Sequence, residues 1–60
     1  MNLRSAKKLH NGDEVTIKET GEIVTVISAY TEFAFGQEMA FVDVCSRDRG
    51  FVTLSHREIK

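Results

Sequence analysis

The stretch Gly12-Asp13-Glu14-Val15-Thr16-Ile17-Lys18-Glu19-Thr20-Gly21-Glu22-Ile23-Val24-Thr25-Val26-Ile27 decides the fold. It reads as a turn, a short strand, a second turn at Thr20-Gly21 and a longer strand. From Glu14 to Lys18 the residues alternate, with Val15 and Ile17 on one face and Glu14, Thr16 and Lys18 on the other. Period-two alternation is what a half-buried strand requires. Asn11-Gly12 marks the turn before it, because both residue types tolerate positive φ. From Ile23 to Ala29 the chain is rich in β-branched residues and alternates less cleanly. A strand covered on both faces, or strongly bent, has that signature.

Downstream, Met39 to Cys45 reads as a third strand, with Ala40, Val42 and Val44 inward and Phe41, Asp43 and Cys45 outward. Ser46-Arg47-Asp48-Arg49-Gly50 is a charged turn. Phe51 to Leu54 is a fourth strand, with Val52 and Leu54 inward and Phe51 and Thr53 outward. Ser55 followed three residues later by Glu58 has capping-box spacing, so Ser55–Glu58 is expected to form one helical turn that returns Ile59 to the core. The segment Tyr30–Glu38 connects the second and third strands, either as a long aromatic loop or as two strand extensions meeting near Gly36. Residues 1–9 form an N-terminal arm or short helix, with Leu3, Ala6 and Leu9 at intervals of three, and residues 10–60 form the barrel of a single domain.

Four short strands, a Gly-Asp entry, a Thr-Gly turn and a one-turn helix before a last apolar residue together resemble a small SH3-like barrel. The Gly12–Ala29 region is similar to the opening hairpin of the KOW-type, translation-protein group within it. Leu54-Ser55-His56-Arg57-Glu58-Ile59 resembles the turn and last strand that close such barrels. The KOW pattern has a glycine three residues after the turn glycine, where this chain has Val24. The resemblance implies an all-β barrel of four to five short antiparallel strands. It also implies a binding role, because such barrels serve ribosomal proteins, transcription factors and adaptors alike.

Composition bounds the function. The chain has 60 residues and a formal net charge of −1, which speaks against wrapping nucleic-acid phosphates through a general basic excess. Its lone cysteine, Cys45, offers no disulfide framework and fits a reducing compartment. No apolar run approaches the ~18–20 residues a membrane span needs, and the first eight residues lack a secretory apolar core. A cytoplasmic protein with an intact start at Met1 is therefore expected, with monomer and homodimer both left open.

Catalytic chemistry finds little support. Cys45, His10 and His56 are the candidate nucleophile and bases, but Asp43, the nominal orienting group, falls on the same strand face as Cys45 and not behind a histidine. They lack the paired spacing of a zinc site, and no phosphate-binding glycine loop is present. No catalytic residue, metal or cofactor is expected. The functional candidates are the aromatics Tyr30, Phe33, Phe35, Phe41 and Phe51 with the turn cations Arg47 and Arg49. Phe41 and Phe51 are expected as outward cross-strand neighbours, and Tyr30, Phe33 and Phe35 as members of the loop. Glu32, Glu38 and Arg49 would rim the surface. The reading is a non-enzymatic protein-interaction module with an aromatic surface. The alternative is a nucleic-acid-binding or ribosome-associated module in which Lys7, Lys8, Lys18, Arg47 and Arg49 meet phosphates.

Overall fold

The computed structural model describes residues 1–60. Its elements are helix α1 (Leu3–Ala6), strands β1 (Glu14–Thr16), β2 (Ile23–Ala34), β3 (Gln37–Ser46) and β4 (Gly50–Ser55), and a 3-10 turn at His56–Glu58. The four strands make one antiparallel sheet in the order β1-β2-β3-β4, curled into a half-barrel. That architecture is all-β and compatible with an SH3-like barrel. No helix is long and apolar enough to cross a membrane.

The alternating residues fill the concave side. Val15, Ile17, Val24, Val26, Val42, Val44, Leu54 and Ile59 form the buried cluster, with Met1, Leu9, Ala29 and Val52 packed against it. Val24 is 2% exposed and pairs with Val15. The position that is glycine in the KOW pattern is therefore a core side chain here.

Two features shape the sheet. A bulge in β2 lies between Val26 and Ser28, so Ile27 has no partner across β3. The extra residue reverses the strand's phase. Val24 and Val26 point inward before it, and Ala29 packs against the core after it. This accounts for the blurred alternation of Ile23–Ala29. The second feature is closure. Ile17 bridges Ile59, the Lys18 N–H donates to the Glu58 carbonyl at 2.9 Å, and the Lys60 N–H donates to the Thr16 carbonyl at 3.0 Å. The last residues thereby cover the free edge of β1. The 3-10 turn that delivers them begins after Ser55, whose N–H donates to the Glu58 carboxylate at 3.2 Å.

Helix α1 is short but anchored. Asn2 caps it by accepting from the Ser5 N–H at 2.8 Å, and Ala6 is fully buried. A four-residue helix has no stability of its own, so these contacts hold it. The Met1 ammonium donates to the Ile59 carbonyl. It sits below the ordinary α-amino range, chiefly because it is desolvated there and secondly because of the nearby Lys18 charge.

Two sequence expectations are corrected. Tyr30 and Phe33 do not lie in a loop but in β2, and only Phe35 is in the connection, so the segment is two strand extensions meeting at Phe35-Gly36. β2 runs to Ala34 and β3 starts at Gln37, leaving only Phe35-Gly36 between them. Phe41 and Phe51 are not cross-strand partners either: Phe41 lies opposite Ser55, and Phe51 opposite Cys45. The hairpin turn at Arg47–Arg49 is tight, so counting back from it sets a register that separates the two rings by four residues along β3.

Candidate functional site: an aromatic ribbon

Beyond the barrel, β2 and β3 continue as a two-stranded ribbon. β4 stops pairing with β3 at Phe41, and β1 stops pairing with β2 at Thr25. Residues 31–34 and 37–40 therefore pair only with each other, in the register Thr31↔Ala40 to Ala34↔Gln37. An isolated two-stranded hairpin is marginal in water, and this one is braced from the side. Lys7, which caps the C-terminus of α1, pairs with Glu38 at 3.0 Å. The His56 Nδ1 atom accepts from the Ala40 N–H at 3.3 Å.

The ribbon carries four of the five candidate aromatics. At its base, Tyr30 lies opposite Phe41, with ring centroids 5.9 Å apart and planes inclined at 31°. Such tilted pairs contribute about 0.5–1.5 kcal/mol beyond their burial. Towards the tip, Phe33 is 80% exposed and Phe35 is 91% exposed. Phe35 has φ +54° and Gly36 has φ +77°, the sign pattern of a type I′ turn. That turn favours Asn-Gly or Gly-Gly, and an L side chain in this region costs about 1–2 kcal/mol. A cavity of about 370 Å³ opens between α1 and the ribbon base, where Ala6, Lys7, Ala29, Tyr30 and Thr31 meet.

Phe51 stands apart. It is 80% exposed, but it lies at the start of β4 beside the Arg47–Arg49 turn, at the end of the sheet away from Phe35. Between it and the ribbon base, the convex face carries a polar row. Asp43 accepts from the Ser28 hydroxyl at 3.0 Å and from the Thr53 hydroxyl at 2.6 Å, tying β2, β3 and β4 together. The five aromatics therefore form a ribbon group of four and an isolated fifth.

The basic candidates are dispersed. Lys7 is paired with Glu38, and Lys8 follows it in the turn after α1. Arg47 is exposed in the β3–β4 turn. Arg49 approaches Glu22 at 3.6 Å, so its partner is Glu22 and not the adjacent Asp48. Glu22 in turn accepts from the buried Ser46 hydroxyl at 2.7 Å. Neither Glu22 nor Ser46 stood out in the sequence, because their meeting depends on two turns folding to the same end of the sheet.

Cys45 is exposed on the convex face, whereas His56 is committed through Nδ1 to Ala40 and His10 precedes β1. No three His, Cys, Asp or Glu side chains are placed to share a metal ion. The chain matches no protein-family model, no curated protein and no solved structure.

Proposed function

We propose that the chain is a non-enzymatic binding module that engages a protein partner through the aromatic ribbon. The observation that carries this reading is Phe35, an almost fully exposed aromatic ring held at positive φ on the hairpin tip. Its own fold gains nothing from it. Glycine or asparagine would relieve the backbone cost, and the ring buries almost no surface that would offset it. A strained residue at such a position points to function. Tyr30 and Phe41 lie opposite each other on one face of the ribbon, and Phe33, three residues along β2, stands exposed on the other face; exposed apolar groups of this kind mark partner binding. The near-neutral charge supports a protein partner over a nucleic acid. A reducing, cytoplasmic setting belongs to the same reading, since Cys45 has no partner thiol.

The test is a photo-crosslinking amino acid placed at Phe33 in the full chain, expressed in its native cells. A discrete protein adduct that wild-type chain competes away, and that Phe35→Gly abolishes, supports the proposal. Absence of such an adduct, alongside one formed from Thr53 on the convex face, rejects it.

A second reading has its own support. Phe51 stands exposed next to Arg47 and Arg49, and an aromatic beside cations is how single strands are stacked and neutralised. A KOW-like, ribosome-associated role follows from the opening hairpin, although Val24 lacks the glycine of that motif. Titration with single-stranded RNA at rising salt decides it. Affinity that falls steeply with salt and is lost in Phe51→Ser supports this reading, and no binding at low salt removes it.

A further inference from the structure

The outer edge of β2 is covered only as far as Val26, whose backbone bonds to Gly12 and Asp13. From Ser28 to Ala34 no strand or loop of the chain hydrogen-bonds to that edge. We infer that this edge pairs with the same edge of a second copy of the chain, antiparallel, with a two-fold axis at Thr31. The backbone groups are aimed for it. The Ala40 N–H donates to His56, away from β2, and Ala40 lies opposite Thr31. Opposite residues in an antiparallel pair turn their backbone groups either toward each other or apart, in alternation. Those of Thr31 therefore face the free edge, as do those of Ala29 and Phe33. The matching edge of β3 is occupied by His56 and then by β4, so β2 offers the longer template.

This edge lacks the usual safeguards. Free edges are commonly blunted by Lys or Pro, or kept very short. Ser28–Ala34 holds neither residue, and its one charge is Glu32. That charge selects the register. With the two-fold at Thr31, Glu32 of each copy lies opposite Tyr30 of the other. A two-fold at Glu32 would set two carboxylates face to face, which is destabilising. A two-fold at Tyr30 would carry each hairpin tip onto Thr25, where Glu14 of β1 already pairs.

The same register gives Phe33 a seat. It lies opposite Ala29 of the other copy, on the face where Ala29 packs against the core. Beside Ala29 is the cavity of about 370 Å³ that Ala6, Lys7, Tyr30 and Thr31 also line. A cavity of about 150 Å³ already admits benzene, so there is room for a phenyl ring. Phe33 is 80% exposed in the single chain, and an aromatic side chain buries about 150–250 Å². A large residue meets a small one on each side of the axis, the self-complementarity that a two-fold interface needs. The match is to this chain's own Ala29, Tyr30 and Glu32, which favours a second copy over an unrelated strand. The paired stretch is short, so association in the micromolar range is expected. The inference goes beyond the ribbon reading, because it leaves Phe35 at the tip to a different protein.

The test is analytical ultracentrifugation of the purified full chain from about 1 μM to about 1 mM, with circular dichroism to show that each variant is folded. The expected result is a reversible dimer. Amide exchange at Ala29, Thr31 and Phe33 should slow as concentration rises, while exchange at Tyr30 and Glu32 stays constant. Thr31→Pro removes an edge N–H without touching the β3 ladder and should abolish the dimer. Phe33→Ser should weaken it about tenfold. Thr31→Lys and Thr31→Glu each set like charges face to face and should each weaken it about fivefold. Mixing those two variants should restore dimers that contain one chain of each. Phe35→Gly should leave the dimer unchanged, so this inference and the ribbon reading fail separately. A chain that stays monomeric at about 1 mM overturns the proposal. So does a dimer indifferent to Thr31→Pro and Phe33→Ser, and so do like-charge variants that dimerise as well apart as mixed.

Discussion

The Nδ1 atom of His56 accepts a hydrogen bond from the Ala40 backbone N–H at 3.3 Å, where β4 has ended and β3 continues without it. A side chain thereby stands in for the strand that is missing. Ala40 is 1% exposed, so its N–H has little access to water. We predict that His56→Ala destabilises the fold by about 1–3 kcal/mol, the cost of a buried donor left unsatisfied. Thermal unfolding would show a drop of about 4–8 °C per kcal/mol in a domain of this size. Amide exchange at Ala40 should accelerate more than at Val44. A His56→Ala variant as stable as wild type would show that the contact is incidental.

Phe35 gives the opposite expectation. Phe35→Asn should stabilise the chain by about 1 kcal/mol, because asparagine suits the first position of a type I′ turn and no burial is lost. The same change should remove the crosslink from Phe33 to a partner. Stability and binding would then move in opposite directions. A fall in the melting temperature would mean that Phe35 makes a folding contact and would undercut its role as a displayed anchor.

Ile59 closes the barrel against Ile17 and is fully buried. Ile59→Ala is expected to cost about 2–5 kcal/mol, and Ile59→Val about 0.5–1.5 kcal/mol. Domains typically hold only ~0.05–0.15 kcal/mol per residue. The alanine variant should therefore be largely unfolded near body temperature, while the valine variant remains folded. Circular dichroism of the two variants reads this directly; equal, mild losses would place the closure outside the cooperative core.

Ser46 is 3% exposed, donates to Glu22 at 2.7 Å and accepts from the Arg49 N–H at 3.4 Å. Ser46→Ala should lower stability by about 1.5–3 kcal/mol, since a hydrogen bond to a charged group is lost. Urea unfolding should give a lower midpoint at unchanged slope.

The inner face of the sheet was legible residue by residue. Val15, Ile17, Ala40, Val42, Val44 and Leu54 follow a period of two that has one reading, and all are buried. The spacing of Ser55 and Glu58 likewise located the 3-10 turn. The ribbon was harder to see. Phe35-Gly36 lacks the asparagine or aspartate that usually announces a two-residue hairpin turn, and three aromatics in the nine residues Tyr30–Glu38 resemble a loop as readily as two strands. The bulge at Ile27 concealed the phase of β2, since nothing in Val26-Ile27-Ser28 marks which residue goes unpaired. Registers decide side-chain neighbours, and one miscounted residue exchanges faces. The Phe41–Phe51 pairing missed by four residues, an even number that keeps the face, so the pairing failed while the outward direction of both was right. The Arg49–Glu22–Ser46 contact lay beyond sequence reading, because two turns far apart in the chain meet there.

The Ile17–Ile59 bridge also bears on the order of assembly. Its partners are 42 positions apart (59 − 17), whereas the β2–β3 hairpin closes across two residues. The entropy of joining distant segments must be met before their contact contributes anything. We therefore expect hairpin pairing to be established in the folding transition state and barrel closure to follow it. Ile59→Val should accelerate unfolding while leaving the folding rate almost untouched, and Val44→Ala should slow folding. Stopped-flow chevrons with the reverse pattern would place closure in the nucleus. In kinetic terms, the residue that completes the core would then govern how long the folded state lasts, and hardly how fast it forms.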